Sequence, residues 1–166
     1  MAKKKSSLKN RVARCGVGRG GGMNVAALLP EAPRLSIGEV CWKLLRPGGH
    51  LEVADAPELT GRLFRTFTSS EATGWVVGAL ACDLAYGSSE ENDLMDDPKL
   101  RSLENDVIEA LGPDAHWYSN GDHPLPMFRS PGDGRSWHSV TDATFDLLLA
   151  VRGNGLDLVL YTAQED

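Results

Sequence analysis

The sequence has few cysteines and no long apolar run. The first feature argues against a disulfide-stabilised protein and the second against a membrane-spanning one. Its 166 residues include only three cysteines, Cys15, Cys41 and Cys82, and no Cys-x-x-Cys motif. This odd number and wide spacing argue against a disulfide framework and favour buried thiols in a reducing compartment. No apolar run approaches the roughly 18 residues that a membrane-spanning helix needs. We therefore expect a cytoplasmic protein that does not contact a membrane.

Recognisable catalytic motifs are missing as well. The chain contains no His-Glu-x-x-His, no Gly-x-Ser-x-Gly and no calcium-loop order of acidic residues. Cys82 lies among apolar residues of a predicted helix, where a thiol is usually inert, and Cys41 has no evident base beside it. These observations favour a non-enzymatic protein that uses no cofactor.

Basic and acidic residues are distributed unevenly along the chain. Residues 1–30 hold seven Lys and Arg and no Asp or Glu, whereas residues 31–166 carry a net charge of −13. The lysines and the glycines after them predict a flexible basic arm over residues 1–22. One interpretation of this arm is contact with nucleic-acid phosphates, and the other is a solubilising tail that folds back on the acidic body. The cations that would contact a nucleic acid are Lys3, Lys4, Lys5, Lys9, Arg11 and Arg14.

A concentration of carboxylates in the middle of the chain predicts a protein-binding surface. A contiguous negative surface steers association with a basic partner and contributes to specificity. Small inhibitors, immunity proteins and antitoxins are proteins of this type, and this function is the one that the sequence favours. The alternative is that the charges only keep the protein soluble. The carboxylates assigned to the surface are Glu90, Glu91, Asp93, Asp96, Asp97, Glu104 and Glu109, with Asp106 beside them.

Two further groups of residues support alternative hypotheses. Imidazole and carboxylate groups are ligands that zinc prefers. The candidate metal ligands are His116, Asp122, His123 and His138. Backbone amides of a glycine-rich loop can bind a phosphate group at the start of a helix. The candidate loop residues are Gly16, Gly18 and Gly20. The structural alternatives are solvated loop histidines and a flexible linker.

One segment carries a family resemblance. Residues 44–55, LLRPGGHLEVAD, resemble the helix–turn–strand segment of class I S-adenosylmethionine-dependent methyltransferases, in which such a turn leads into a central strand. The Gly16–Gly20 loop, followed by Met23–Leu29, is similar to the cofactor-binding loop of that family and its helix. The resemblance implies a parallel sheet with Leu51–Ala54 at its centre, in a degenerate or truncated relative.

The clearest structural signal is the segment Thr144–Ala163. Two apolar runs flank Asn154-Gly155, the dipeptide that best fits a two-residue type I′ turn. This turn predicts a hairpin in which Arg152 faces Asp157, Val151 faces Leu158, Leu149 faces Leu160 and Leu148 faces Tyr161. Because one face of the ribbon is almost wholly apolar, we expect the hairpin in the interior of a sheet.

Apolar spacing and capping signals predict the remaining elements. Helices are predicted at Met23–Leu29, after Ser36, at Pro57–Phe67, at Ala72–Tyr86 and from Pro98 to Leu111. Short strands are predicted at Leu51–Ala54, Ala115–Ser119 and Ser136–Val140, with a long loop over 120–135. The predicted fold is a single α+β domain over residues 23–166, with three or four helices on one face of a small, mostly antiparallel sheet. The predicted core residues are Trp42, Trp75, Leu80, Leu103, Val107, Leu149 and Leu158.

Overall fold

The computed structural model describes residues 7–15, 24–81, 97–122 and 136–164. The helices in these ranges are α1 Leu8–Cys15, α2 Ile37–Leu45, α3 Ala56–Arg62, α4 Trp75–Ala81 and α5 Pro98–Leu111. The strands are β1 Asn24–Pro30, β2 Arg65–Thr68, β3 His116–Ser119, β4 Phe145–Gly153 and β5 Leu156–Gln164. They form one sheet in the order β1-β5-β4-β3-β2, and every neighbouring pair is antiparallel. The predicted α+β class is confirmed.

The predicted hairpin is β4 and β5. Asn154 has a φ of 49° and Gly155 a φ of 73°, which are the left-handed values that a type I′ turn requires. The register is the predicted one, with Arg152 opposite Asp157 and Leu149 opposite Leu160. Both strands have a neighbour on each side, so the hairpin lies in the interior of the sheet.

Helices cover both faces of the sheet, whereas the sequence predicted one covered face. The first apolar cluster joins α1, α4 and α5 to the face that carries Leu149 and Leu158. The second joins α2 and α3 to the face that carries Leu148 and Val159. The reason is that residues 146–151 are all buried, so both faces of β4 need a cover. Of the described helices, none is long and apolar enough to cross a membrane.

Most of the predicted core residues lie in these two clusters. Trp75, Leu103, Val107, Leu149 and Leu158 are buried in the first cluster. Trp42 and Leu80 are only partly buried and pack at the margins of the second and first clusters respectively.

The predicted helix at Met23–Leu29 is wrong, because residues 24–30 form strand β1 beside β5. A run of about seven apolar residues suits a strand as well as a buried helix, and periodicity alone does not separate them. In the sheet, Leu28 packs on the first cluster and Val25 on the second. A strand therefore uses the apolar side chains of this run on both faces.

The predicted helix at Pro57–Phe67 is correct only for its first part. Helix α3 ends at Arg62, and β2 begins at Arg65. Leu59 and Leu63 belong to the second cluster, whereas Phe67 belongs to the first, on the other side of the sheet. One continuous helix would place all three on the same side, so the chain changes to a strand between them.

Two other predicted strands are reduced to single bridges. Leu51 pairs only with Thr141, and Trp137 pairs only with Gly121. The strand predicted at residues 115–119 is confirmed as β3, and the helix that begins at Pro98 is confirmed as α5. The helix predicted at Ala72–Tyr86 is observed as α4, and residues 82–86 lie outside the described ranges, as do residues 123–135 of the predicted loop.

The predicted flexible arm contains an ordered helix. Residues 8–15 form α1, which packs against β1 and α5, and Val12 is only 1% exposed in the first cluster. Arg11 forms an ion pair with Asp106 of α5. The sequence could not show this because Val12 is the single buried residue of a helix that also carries three basic residues. Residues 1–6 and 16–22 of the predicted arm lie outside the described ranges.

Candidate functional site

Glu104, predicted to be part of an acidic surface, lies inside the protein. It is 1% exposed, and its carboxylate oxygens accept hydrogen bonds from Gly74 N at 2.9 Å and Val77 N at 3.0 Å. These amides are at the beginning of α4, where a helix leaves N–H groups without intrahelical partners. Glu104 therefore caps α4 from the neighbouring helix and is not available to a partner protein.

The other predicted acidic residues have different environments. Asp97 is the N-cap of α5, and its side chain accepts from the backbone N–H of Lys99 at 2.8 Å. Glu109 is exposed, and Asp106, three residues earlier, is half-exposed on the same side of the helix. The remaining four, Glu90, Glu91, Asp93 and Asp96, lie outside the described residues. Of the carboxylates predicted to form an acidic surface, Asp106 and Glu109 are therefore the two that lie on the exposed part of α5.

The basic residues of α1 are divided between an internal contact and solvent. The guanidinium of Arg11 donates to Asp106, whereas Lys9 and Arg14 are exposed. Lys3, Lys4 and Lys5 lie outside the described residues. Arg11 therefore behaves as the second interpretation of the arm predicts, because it contacts the acidic part of the same chain. Arg11 is also one of the cations that were predicted to contact a nucleic acid.

Two of the candidate metal ligands, His116 and His138, lie apart. His116 begins β3, and Asn120 is four residues further along, about 13 Å away at the rise of an extended chain. The backbone N–H of His138 donates to the carbonyl of Asn120 at 2.8 Å, so His138 lies at the far end from His116. The His138 ring packs on Phe64, with ring centroids 4.4 Å apart.

Asp122, another candidate ligand, is hydrogen-bonded within the chain. The carboxylate of Asp122 accepts from the backbone N–H of Ser136 at 3.1 Å, and His123 lies outside the described residues. Within the described ranges, no three His, Cys, Asp or Glu side chains are grouped closely enough to hold a metal ion.

A buried polar network that sequence reasoning missed surrounds Asp146. This residue is 0% exposed, and its carboxylate accepts from Val140 N at 2.8 Å and from Thr141 N at 2.9 Å. It also accepts from the Thr141 hydroxyl at 3.0 Å and from Asn120 Nδ2 at 2.7 Å. Burial raises the pKa of Asp146 above its ordinary value, and these hydrogen bonds oppose that increase. The sequence signal was an acidic residue between Phe145 and Leu147 in an apolar strand.

Asn120 connects this network to two parts of the chain, the end of β3 before residue 123 and the segment that begins at residue 136. Its side-chain oxygen accepts from Leu148 N at 2.7 Å, and its amide nitrogen also donates to the carbonyl of His138 at 3.0 Å. The contacts of Asn120 therefore hold the end of β3 against the chain that returns towards β4. All these partners belong to this chain, so the network positions the two segments of the chain relative to each other.

Arg152 and Asp157 form a second polar arrangement beside the hairpin turn, in which Asp157 is buried and Arg152 is partly buried. Arg152 donates to both oxygens of Asp157, from Nε at 2.7 Å and from Nη2 at 2.9 Å. It also donates to the carbonyls of Leu35 at 2.7 Å and Ala32 at 3.2 Å. The hydrogen bonds to Asp157 raise the pKa of Arg152 further above its ordinary value. This pair ties the loop between β1 and α2 to the hairpin.

The described part of the chain bears on the cysteines and on the methyltransferase resemblance. Cys41 is 0% exposed, and burial raises the pKa of its thiol to about 12, so it is a structural thiol. The methyltransferase resemblance requires a parallel sheet, but the described strands pair only in antiparallel fashion, and Leu51 lies in a single bridge. Gly16, Gly18 and Gly20 lie outside the described residues.

Comparison of the chain with models of protein families, with curated proteins and with solved structures found no match.

Proposed function

We propose that the protein is a protein-interaction module that binds a basic protein, as an inhibitor, an immunity protein or an antitoxin does. The carboxylates proposed to contact this partner are Asp106 and Glu109 on α5 and the five of residues 82–96, which lie outside the described residues. Residues 82–96 precede α5 in the sequence and contain five acidic and no basic residues. A negative surface of this kind accelerates the encounter with a positive partner and favours it over neutral ones.

The observation that carries this proposal is the ion pair between Arg11 and Asp106. It joins residues 95 positions apart, and its cation comes from a helix that contains no acidic residue. The outer side of α5 therefore already binds one basic helix of the same chain. Glu109 remains exposed on that side of α5, where a cationic side chain of another protein can reach it.

Native mass spectrometry of the protein purified from its own cells at low salt tests the proposal. The expected result is a basic protein bound with defined stoichiometry and released by added salt, because exposed charge pairs are screened. Replacing Glu90, Glu91, Asp93 and Asp96 by their amides should reduce the amount bound.

Matched single substitutions show whether the effect is local. Glu109→Gln removes a charge on α5, and Glu52→Gln removes an exposed charge on the other side of the sheet, where the adjacent Leu51 packs on the second cluster. Glu109→Gln should weaken binding more than Glu52→Gln. Equal effects of the two substitutions, or a bound nucleic acid that is lost when residues 1–6 are deleted, would contradict the proposal.

A further inference from the structure

The dipeptide Asn-Gly occurs twice in the sequence, at residues 120–121 and 154–155, and the fold gives the two copies opposite environments. Asn154 and Gly155 are both exposed at the turn between β4 and β5, whereas Asn120 and Gly121 are both buried after β3. Glycine has no Cβ to shield its backbone nitrogen, so this nitrogen can attack the side-chain amide of a preceding asparagine. The chain therefore contains two copies of one reactive dipeptide, of which one is open to water.

The hairpin turn presents the reacting groups of Asn154 and Gly155 to solvent. Gly153 and Leu156 form the last pair of the ladder, so the amide of Gly155 lies beyond the paired residues. A Cβ added to Gly155 would meet no atom of the described residues within 4 Å, so the space around it is open. The attack requires the peptide between Asn154 and Gly155 to rotate out of the type I′ turn. Such local opening costs little where few contacts hold an exposed segment.

Asn120, in contrast, is held by the network around Asp146. Its side-chain oxygen accepts from Leu148 N at 2.7 Å, and its nitrogen donates to Asp146 at 2.7 Å. The attacking nitrogen is occupied too, because Gly121 N donates to the Ser119 hydroxyl at 3.1 Å. Several buried hydrogen bonds must therefore break before this second copy can react.

We propose that Asn154 is a site of spontaneous deamidation, and that its conversion to aspartate and isoaspartate releases the hairpin turn from α5. The backbone nitrogen of Gly155 loses its proton and attacks Cγ of Asn154. The new bond joins this nitrogen to Cγ, the bond from Cγ to Nδ2 breaks, and ammonia leaves with the proton. Water then opens the cyclic imide. Cleavage of the new bond gives aspartate, whereas cleavage of the original peptide bond gives isoaspartate, so one water is consumed for each ammonia released.

Either product loses the contact between the turn and α5. Asn154 Nδ2 donates at 3.0 Å to the carbonyl of Ala110, in the last turn of the helix. A carboxylate in this place has no N–H to donate, and it repels the carbonyl oxygens that form the negative end of the helix dipole. The last turn of α5 contains no basic residue to compensate the new charge. Isoaspartate also adds a backbone atom to a turn whose two-residue length sets the register of β4 and β5.

Peptide mapping of the full-length protein tests the proposed site. The folded protein is incubated in mildly alkaline buffer, digested at acidic pH and analysed by tandem mass spectrometry. Asn154 should become heavier with time, as its side-chain NH₂ is replaced by OH, and should give two products that chromatography separates. Conversion of Asn120 should be slower by at least about tenfold, because its buried hydrogen bonds must break first. In urea, where neither residue is protected, the two should convert at similar rates.

The variant Asn154→Asp tests the loss of the contact with α5, because it imitates one product. Its melting temperature at neutral pH should be a few degrees below that of the wild-type protein. The difference should shrink below about pH 4, where the carboxyl group is protonated and can donate to the carbonyl of Ala110. Asn10→Asp is the matched control, because it adds the same charge near the beginning of α1, where the helix dipole favours it. It should not lower the melting temperature.

Equal conversion of Asn154 and Asn120 in the folded protein would overturn the proposed site. An Asn154 that stays intact in the folded protein and converts only in urea would do the same. An Asn154→Asp variant as stable as the wild-type protein would refute the loss of the contact with α5.

Discussion

Replacing Glu104 by glutamine gives the sharpest test of how this protein uses its carboxylates. The side chain is 1% exposed and accepts from Gly74 N and Val77 N, one on each oxygen. Glutamine has nearly the same shape but carries an amide nitrogen in place of one oxygen. Whichever way the amide is turned, one of the two backbone N–H groups loses its acceptor and faces another donor.

The cost of Glu104→Gln can be worked out from these contacts. A buried donor left without a partner costs about 1–3 kcal/mol. The negative charge near the beginning of α4 also interacts favourably with the helix dipole, and losing it costs about 0.3–1 kcal/mol. The contact of Glu104 with Arg101 adds little, because Arg101 is 35% exposed and such pairs are weak. The two costs together should lower the free energy of unfolding by about 1–4 kcal/mol.

Urea denaturation followed by circular dichroism measures this loss, and the melting temperature should fall by about 3–15 °C. Glu109→Gln on the same helix is the matched control, because Glu109 is exposed. It should change stability by less than about 0.5 kcal/mol. If Glu104→Gln is as harmless as Glu109→Gln, then Glu104 does not cap α4, and the assignment of this carboxylate to the interior is refuted.

Three further predictions follow from the buried groups and the glycines. Burial raises the pKa of Asp146 in the folded protein. The contribution of Asp146 to stability should therefore fall as pH rises from about 4, the ordinary pKa of an aspartate, through the raised pKa. Urea denaturation at a series of pH values should show this decrease in the wild-type protein and not in Asp146→Asn. Gly153→Ala should destabilise the fold by about 1–3 kcal/mol, because the new Cβ would lie 2.4 Å from a backbone oxygen of α5. At Gly61 a Cβ would meet no atom within 4 Å, so Gly61→Ala should be neutral or stabilising by less than about 1 kcal/mol. Thermal denaturation of the two variants measures both effects. Cys15, partly exposed, should be alkylated in the folded protein while Cys41 is not, as peptide mass mapping will show; labelling of Cys41 at the rate of Cys15 would contradict its burial.

The parts of the fold that sequence predicts well are those with local causes. The type I′ turn at Asn154-Gly155 sets the register of β4 and β5, because each pair follows from its distance to the turn. The capping box of Ser36 with Glu39 likewise defines the start of α2, through hydrogen bonds between residues three apart. Both signals act over a few residues, and no distant part of the chain is needed to interpret them.

The parts that sequence does not predict depend on distant partners. β1 is a strand because β5 is beside it, and the same apolar run would suit a buried helix elsewhere. Val12 is in the core because α5 and β1 enclose it, although its helix carries three basic residues. For Glu104, the sequence shows a carboxylate among others of α5, and only the packing of α4 distinguishes it from Glu109.

The distribution of carboxylates limits how a basic partner can be held. Glu104, Asp146 and Asp157 are buried and bonded within the protein, so they give no contact to a partner although they count towards the net charge of residues 31–166. Asp106 already forms an ion pair with Arg11, so a cationic side chain of a partner must compete with Arg11 for this carboxylate. Most of the attraction then depends on residues 82–96, which contain five acidic and no basic residues. Neutralising that segment should therefore weaken binding more than Glu109→Gln does, and the reverse order would place the contact on α5 alone.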